Sequence, residues 1–178
     1  MTLADSFEDL MRRLDDLLAV LRDVLQWAVT QGKPATDDHV LAGRYEELAT
    51  ELIAGTEEAR CIANAGKRRL IDQDDFAGAS RALVSCQQCV NGISRRFFSD
   101  LVSFEALADL DNLADEQQRH WGPWVRGVRD ALDQCSQPIE AANESLVQCW
   151  KSLTERIGLF SAAVRTVPKI QESKPLQV

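Results

Sequence analysis

Apolar residues recur at alternating spacings of four and three along most of this chain. The clearest stripe covers the first helix-length stretch and repeats without interruption at Leu3, Phe7, Leu10, Leu14, Leu17, Leu21, Val24 and Ala28. Because the spacing averages about 3.5 residues, its members share one face of an α-helix. Met11, Leu18 and Leu25 lie beside the stripe and widen it, which is typical of a helix in a bundle core. We predict a long helix that ends near Gly32 and Pro34.

Two further helices are predicted in the middle of the chain. The second begins at Thr36, whose hydroxyl can cap a helix, and its stripe is Leu41, Tyr45, Leu48, Leu52, Gly55, Ala59 and Ile62. Gly66 is the expected end of this helix. The third follows the acidic run at residues 72–75, with the stripe Phe76, Ala79, Leu83, Cys86, Val90, Ile93 and Phe97. Because the connections are short, we expect neighbouring helices to run antiparallel.

The C-terminal third predicts a long helix with a connector before it. Residues 105–113 are acidic with three leucines, which predicts a short connecting helix across one end of the bundle. The last helix is expected to start at the boundary 120–124, with Pro123 in its first turn. An unbroken helix to Val167 would be about 70 Å long, so we expect a kink or break at Pro138.

The sequence therefore predicts an all-α fold, an antiparallel bundle of four long helices with one or two shorter connecting helices. Residues 1–167 are expected to form a single helical-bundle domain, and residues 168–178 a flexible C-terminal tail. No alternating Val, Ile or Thr run bounded by turn residues competes with this prediction.

Charge and composition narrow the class of partner. The chain has 28 acidic and 20 basic residues, which gives a net charge of −8. This negative charge argues against electrostatic binding to nucleic acid or to an anionic membrane. The N-terminal residues lack the basic start and apolar run of a secretory signal, and no apolar run is long enough to span a bilayer. We therefore expect a cytoplasmic protein with reduced thiols, at Cys61, Cys86, Cys89, Cys135 and Cys149.

Three residue patterns in the sequence are candidates for chemical sites. Cys86 and Cys89 form a Cys-x-x-Cys pair in the middle of a predicted helix. A redox pair usually lies at the start of a helix, where free amides stabilise the thiolate. A zinc site would need two further ligands, and none is nearby in the sequence. We interpret them as buried small side chains, with metal or redox use as the alternative. A di-iron site in a helical bundle needs two pairs of glutamate and histidine, and Glu116 with His120 is a single pair. Residues 109–112 begin like a calcium-binding loop, but the glycine and the glutamate that such a loop needs further along are missing. No recognised catalytic motif occurs, so we expect no enzymatic activity, no cofactor and no metal.

One five-residue run resembles a known family. The segment His39-Val40-Leu41-Ala42-Gly43 resembles the His-x-Leu-Lys-Gly core of histidine phosphotransfer domains, which are also four-helix bundles. The resemblance implies a phosphoryl-carrying role for His39, although Ala42 stands where that family has its lysine. A signalling or small-molecule-binding bundle, with His39 or a pocket near Trp121, is the alternative function.

The leading expectation is a non-catalytic interaction module, a scaffold or adaptor that binds a protein partner or associates with itself. Tryptophan and arginine are over-represented at binding hot spots, and the chain has both close together. The expected partner-binding residues are Trp121, Trp124, Arg126 and Arg129.

Overall fold

A computed structural model describes the backbone of residues 2–30, 40–108 and 115–166, and the side chains of 2–27, 43–100 and 123–159 apart from Val125. Within these ranges the chain is helical and contains no strand. The four helices are α1 (Leu3–Thr30), α2 (Val40–Gln73), α3 (Phe76–Ala108) and α4 (Asp115–Thr166). The predicted all-α bundle of four long helices is confirmed.

Contacts between helices fix an up-down-up-down arrangement. Near the start of α1, Glu8 pairs with Lys67 late in α2, whereas Arg22 further along pairs with Glu57. This order shows that α1 and α2 run antiparallel. The other neighbouring pairs are antiparallel in the same way, and α4 returns to pack on α1, which closes the ring.

The core consists of two clusters stacked along the bundle axis. Every described member of the first predicted stripe is buried, from Leu3 to Val24. One cluster is centred on Phe7, Leu10, Leu14, Leu83, Cys86, Leu146, Cys149 and Leu153. The other is centred on Leu17, Leu21, Tyr45, Leu48, Leu52, Phe97, Trp124, Leu132 and Ile139. The four-three spacing therefore identifies most of the core-facing positions of α1, α2 and α3.

The predicted break in the last helix is wrong. Helix α4 continues for 52 residues through both Pro123 and Pro138, and it begins before the predicted first turn at Pro123. Proline at position 138 removes one backbone hydrogen bond, at a cost of about 3 kcal/mol. Its neighbours Cys135 and Ile139 are both fully buried in the same cluster, so tertiary packing holds the helix on either side of the missing bond. A separate connecting helix is also absent from the described residues, because 105–108 belong to α3.

The expected helix end at Gly66 is likewise wrong, since α2 continues to Gln73. A Cβ atom at Gly66 would lie 2.9 Å from the Ala82 Cβ and 3.0 Å from a ring carbon of Phe7. Gly66 therefore allows α1, α2 and α3 to approach closely. The reversal comes later, at Asp74, whose φ of 51° places it in the left-handed region.

The acidic run at residues 72–75 caps the start of α3. The side chain of Asp75 accepts a hydrogen bond of 2.8 Å from the amide of Gly78 in the first turn of α3. The Asp75 amide in turn donates to the carbonyl of Arg69, which closes the end of α2. Several expectations lie outside the described residues: the stop at Gly32 and Pro34, the cap at Thr36, and the tail at 168–178.

We predict that alanine substitutions at two glycines will change stability in opposite directions. Gly66→Ala should destabilise the fold by about 1–3 kcal/mol, because the added methyl group overpacks the three-helix contact. Gly43→Ala should stabilise it by about 0.5–1 kcal/mol, because that helical position is exposed and an added Cβ meets nothing within 4 Å. Chemical denaturation of the two variants measures both effects, and a stabilised Gly66→Ala variant would contradict the close approach.

Among the described helices, none contains a stretch that is both long and apolar enough to cross a membrane.

Candidate functional site

The predicted tryptophan–arginine patch is divided between core and surface. Trp124 is only 6 % exposed and packs edge-to-face against Tyr45, with 6.1 Å between ring centroids. Arg126 and Arg129 are exposed, and Arg129 pairs with the adjacent Asp130 at 3.1 Å. The side chain of Trp121 is outside the described residues. The partner-binding role of these residues stays a prediction, but Trp124 is a core residue in this chain and offers no exposed anchor.

The cysteines are mostly sequestered. Burial raises the pKa of Cys86, Cys135 and Cys149 to about 12, and it also raises the pKa of the half-buried Cys89. The Cys86 thiol donates to the Ala59 carbonyl at 3.5 Å. Since the thiolate is the form that attacks disulfides and binds metals, this environment disfavours both reactions at Cys86. No three His, Cys, Asp or Glu side chains in the described part of the chain are grouped to hold a metal ion.

We predict that the double change Cys86→Ala and Cys89→Ala leaves association with partners intact. It should cost about 1–3 kcal/mol of stability, mainly from the packing lost at Cys86. Thermal melting measures that cost, and elemental analysis provides the control. Stoichiometric zinc in the purified protein, absent from the double variant, would contradict the interpretation as buried side chains.

The other predicted chemical residues cannot be placed. His39, the segment 109–112, and the side chains of Glu116 and His120 all lie outside the described residues. The phosphotransfer alternative at His39 therefore stays a prediction.

Charged side chains along two seams of the bundle are engaged in ion pairs. Between α1 and α2 the pairs are Glu8–Lys67, Asp15–Arg60 and Arg22–Glu57. Between α2 and α3, Arg96 lies 3.1 Å from Glu51, and it also lies 3.0 Å from the buried Asp100 on its own helix. On the α1–α4 seam, a hydrogen bond from Ser145 and a second from Arg12 lower the pKa of Asp9. These groups link helices to one another, and we assign them a structural role.

An open groove with a mixed polar lining runs between two of the helices. This groove of about 410 Å³ lies between α1 and α4 and is lined by Asp9, Arg13, Ala141, Glu144, Ser145, Val147 and Gln148. Ligand pockets usually enclose most of their ligand with apolar and aromatic side chains. This groove has neither the enclosure nor the lining that such a pocket needs.

The outward side of α3 differs from the rest of the surface. Its exposed positions repeat the four-three spacing of a single helix face: Ala77, Arg81, Val84, Gln88, Asn91, Arg95 and Phe98. We call these seven residues the α3 outer face. Two of them are large hydrophobic residues left substantially exposed, Val84 at 43 % and Phe98 at 42 %. The exposure of these two side chains shows that no described helix of the bundle covers this side of α3.

This face carries no carboxylate, although the chain has a net charge of −8. No aspartate or glutamate occurs anywhere between residues 76 and 99. By contrast, exposed carboxylates occur on each of the other three helices, among them Asp15, Asp16, Glu47, Glu58, Asp133 and Glu140. Protein interfaces are depleted of aspartate and glutamate and enriched in arginine and aromatic residues. The α3 outer face is therefore the candidate site.

Four other large hydrophobic residues of the described chain are exposed: Ile71 beside Asp72 at the end of α2, and Val147, Ile157 and Leu159 on α4. Ile157 and Leu159 on α4 are two residues apart, so on a helix they project about 200° from each other. Val147 stands between Glu144 and Lys151 on its own helix. The α3 outer face is not apparent from the apolar stripes or the tryptophans of the sequence. The signal that could have found it is the acid-free stretch at residues 76–99.

In comparison with known proteins, the chain matches no family model, no curated protein and no solved structure. Its function is therefore inferred from the surfaces of the bundle.

Proposed function

We propose that the protein is a non-catalytic interaction module, a scaffold or adaptor, that binds a partner helix along the α3 outer face. The observation that carries this proposal is the combination of Val84 and Phe98 with an acid-free helix face on an acidic protein. A partner helix lying along this face would cover both hydrophobic side chains and bury no carboxylate.

The energetic contribution of this face would come mainly from its apolar residues. Covering Phe98 and Val84 would stabilise a complex by about 25 cal/mol for each Å² of apolar surface removed from water. Arg81 and Arg95 have long aliphatic stems that can cover the edges of the contact while their guanidinium groups bond to a partner. The contact thus combines two exposed apolar side chains, Val84 and Phe98, with two cationic ones, Arg81 and Arg95.

The internal polar groups support the same class of function. Asp9 and Asp100 each contact a neighbouring helix, Asp9 through the Ser145 hydroxyl and Asp100 through the Arg44 guanidinium at 3.8 Å. The thiols with raised pKa values are buried in the core. A bundle of long helices that leaves Val84 and Phe98 exposed on the α3 outer face suits binding through surface shape.

Site-specific photo-crosslinking in the source cells tests the proposal. A benzoylphenylalanine residue in place of Gln88 should yield a discrete covalent adduct with a polypeptide. The same probe in place of Ala19, exposed on α1, provides the matched control and should yield little adduct. Equal adducts at both positions, or none at Gln88, would overturn the proposal.

A further inference from the structure

Two arginines on the α3 outer face take no part in the ion pairs of the bundle. Arg81 and Arg95 are exposed, and neither pairs with a carboxylate in the described part of the chain. By contrast Arg96, the next residue along α3, pairs with Glu51 on α2. Because no carboxylate occurs between residues 76 and 99, the two guanidinium groups give this face a local positive charge on a chain of net charge −8.

Each of these arginines is followed three residues later by an exposed hydrophobic residue. Val84 follows Arg81, and Phe98 follows Arg95, so the two pairs are fourteen residues apart. Fourteen residues are two heptads, and positions at a heptad spacing face the same side when one helix packs along another. The two pairs are roughly 21 Å apart along the axis of α3. The face therefore presents, twice, one cation beside one apolar side chain.

The positions between the two pairs are polar and uncharged. Gln88 lies seven residues after Arg81, and Asn91 lies seven residues after Val84, so both continue the same heptad positions. A polar side chain at such a position fixes the register of a helix pair, because a shifted partner would leave its amide without a hydrogen bond. The α3 outer face thus favours a partner helix of one composition in one register.

Charge identifies the kind of helix that this face can accept. Carboxylates opposite Arg81 and Arg95 would form charge-assisted hydrogen bonds with the guanidinium groups, whereas basic residues there would be repelled. On the other three helices an acidic partner meets exposed carboxylates, among them Asp16, Glu58 and Glu140. Exposed charges are screened beyond about 8 Å at physiological ionic strength, so these local differences outweigh the net charge. An acidic helix is therefore directed to α3.

We propose that an acidic amphipathic helix of a partner protein docks along the α3 outer face. Its carboxylates, two heptads apart, bond to Arg81 and Arg95, and its apolar residues at the same spacing cover Val84 and Phe98. This inference rests on the proposed function and names the chemistry of the partner. A contact with a single helix is smaller than the roughly 800 Å² per partner that stable interfaces bury, so the complex is reversible.

A matched pair of synthetic helical peptides tests the charge requirement on the intact chain. Both carry leucine opposite Val84 and Phe98, and they differ only opposite Arg81 and Arg95, where one has glutamate and the other glutamine. Fluorescence anisotropy at low salt should show the glutamate peptide binding at least about tenfold more tightly. Because the net charge of the chain repels that peptide, such a preference requires local cations. Equal binding of the two peptides, or tighter binding of the glutamine peptide, would overturn the proposal.

Charge reversal at one arginine locates the contact. Arg95→Glu should weaken binding of the glutamate peptide at least about fivefold, because an attraction becomes a repulsion. Arg126→Glu is the matched control, since it makes the same change at an exposed position on α4, and it should alter binding by less than about twofold. Circular dichroism verifies that both variants remain folded. Equal losses from the two changes would show that only the overall charge matters and would contradict docking on α3.

The photo-crosslink at Gln88 separates this inference from the proposed function. The segment of the captured polypeptide that carries the crosslink should be acidic, and Arg95→Glu in the probe-bearing chain should reduce the adduct. If the crosslinked segment is neutral or basic, or the adduct is unchanged by Arg95→Glu, the acidic partner is wrong and the interaction module stands. If nothing is captured and neither peptide binds, both are wrong.

Discussion

Replacing Leu14 with aspartate is expected to unfold the bundle at ordinary temperature. Leu14 is completely buried near the middle of α1, within the cluster that also contains Phe7, Leu10 and Leu83. The change removes a large apolar side chain, which alone costs about 2–5 kcal/mol. It also places a carboxylate where no partner is available, which adds several kcal/mol more. Together these costs approach the whole stability of about 5–15 kcal/mol that is typical of a domain.

The measurement is circular dichroism at 222 nm during thermal melting, a wavelength chosen for its helical signal. Ala19→Asp is the matched control, because Ala19 is exposed on the same helix and already has acidic residues nearby. That variant should keep the melting temperature within a few degrees. A Leu14→Asp variant with an unchanged melting temperature would show that the core-facing side of α1 is wrongly assigned.

Truncating Trp124 to alanine should produce the second largest loss of stability. The indole is buried against Tyr45 in the cluster that contains Leu21, Phe97 and Val128. Removing a buried aromatic side chain of this size costs about 3–5 kcal/mol. In a chain of this length the melting temperature should fall by roughly 10 °C. Differential scanning calorimetry measures both the enthalpy and the midpoint.

The same variant tests the role of Trp124 in binding. Arg126→Ala, an exposed change two residues away, should alter stability by no more than about 0.5 kcal/mol and serves as the control. Association of the folded Trp124→Ala protein should match that of the unmodified chain. A variant that kept its melting temperature but lost association would contradict the burial of Trp124 and restore it as a partner contact.

The sequence predicts the core well because helical periodicity is local. The spacing of Leu10, Leu14 and Leu17 alone places them on one face of α1. That face becomes buried whichever helix packs against it, so its burial could be predicted without knowing the neighbour. The cap at Asp75 is also local, since a carboxylate just before a helix bonds to the amides of the first turn. Such features depend on fewer than ten consecutive residues.

Features that depend on other helices could not be predicted. Gly66 has the composition of a helix end, but its role is decided by Ala82 and Phe7, which lie on two other helices. Pro138 interrupts one backbone bond, and the packing of Ile139 in the core decides that the helix continues. Trp124 became a core residue because Tyr45, from a distant part of the chain, covers it.

The candidate site illustrates the same limit. The acid-free stretch at residues 76–99 is visible in the sequence. Which of its residues face outward depends on how α2 and α4 pack against α3, and that assigns Val84 and Phe98 to the surface. The composition of the site is therefore present in the sequence, whereas its geometry is not.

Hydroxyl-radical footprinting of the chain in a native extract tests the central claim most directly. Oxidation at Phe98 and Val84 is compared, by mass spectrometry, between the extract and the dilute purified protein. Val147 and Ile157, which are at least as exposed as Phe98, provide references within the same molecule. The account predicts protection of Phe98 and Val84 in the extract, with Val147 and Ile157 equally reactive in both samples. Protection of Val147 or Ile157 while Phe98 stays fully reactive would place the interaction on α4 and contradict the account.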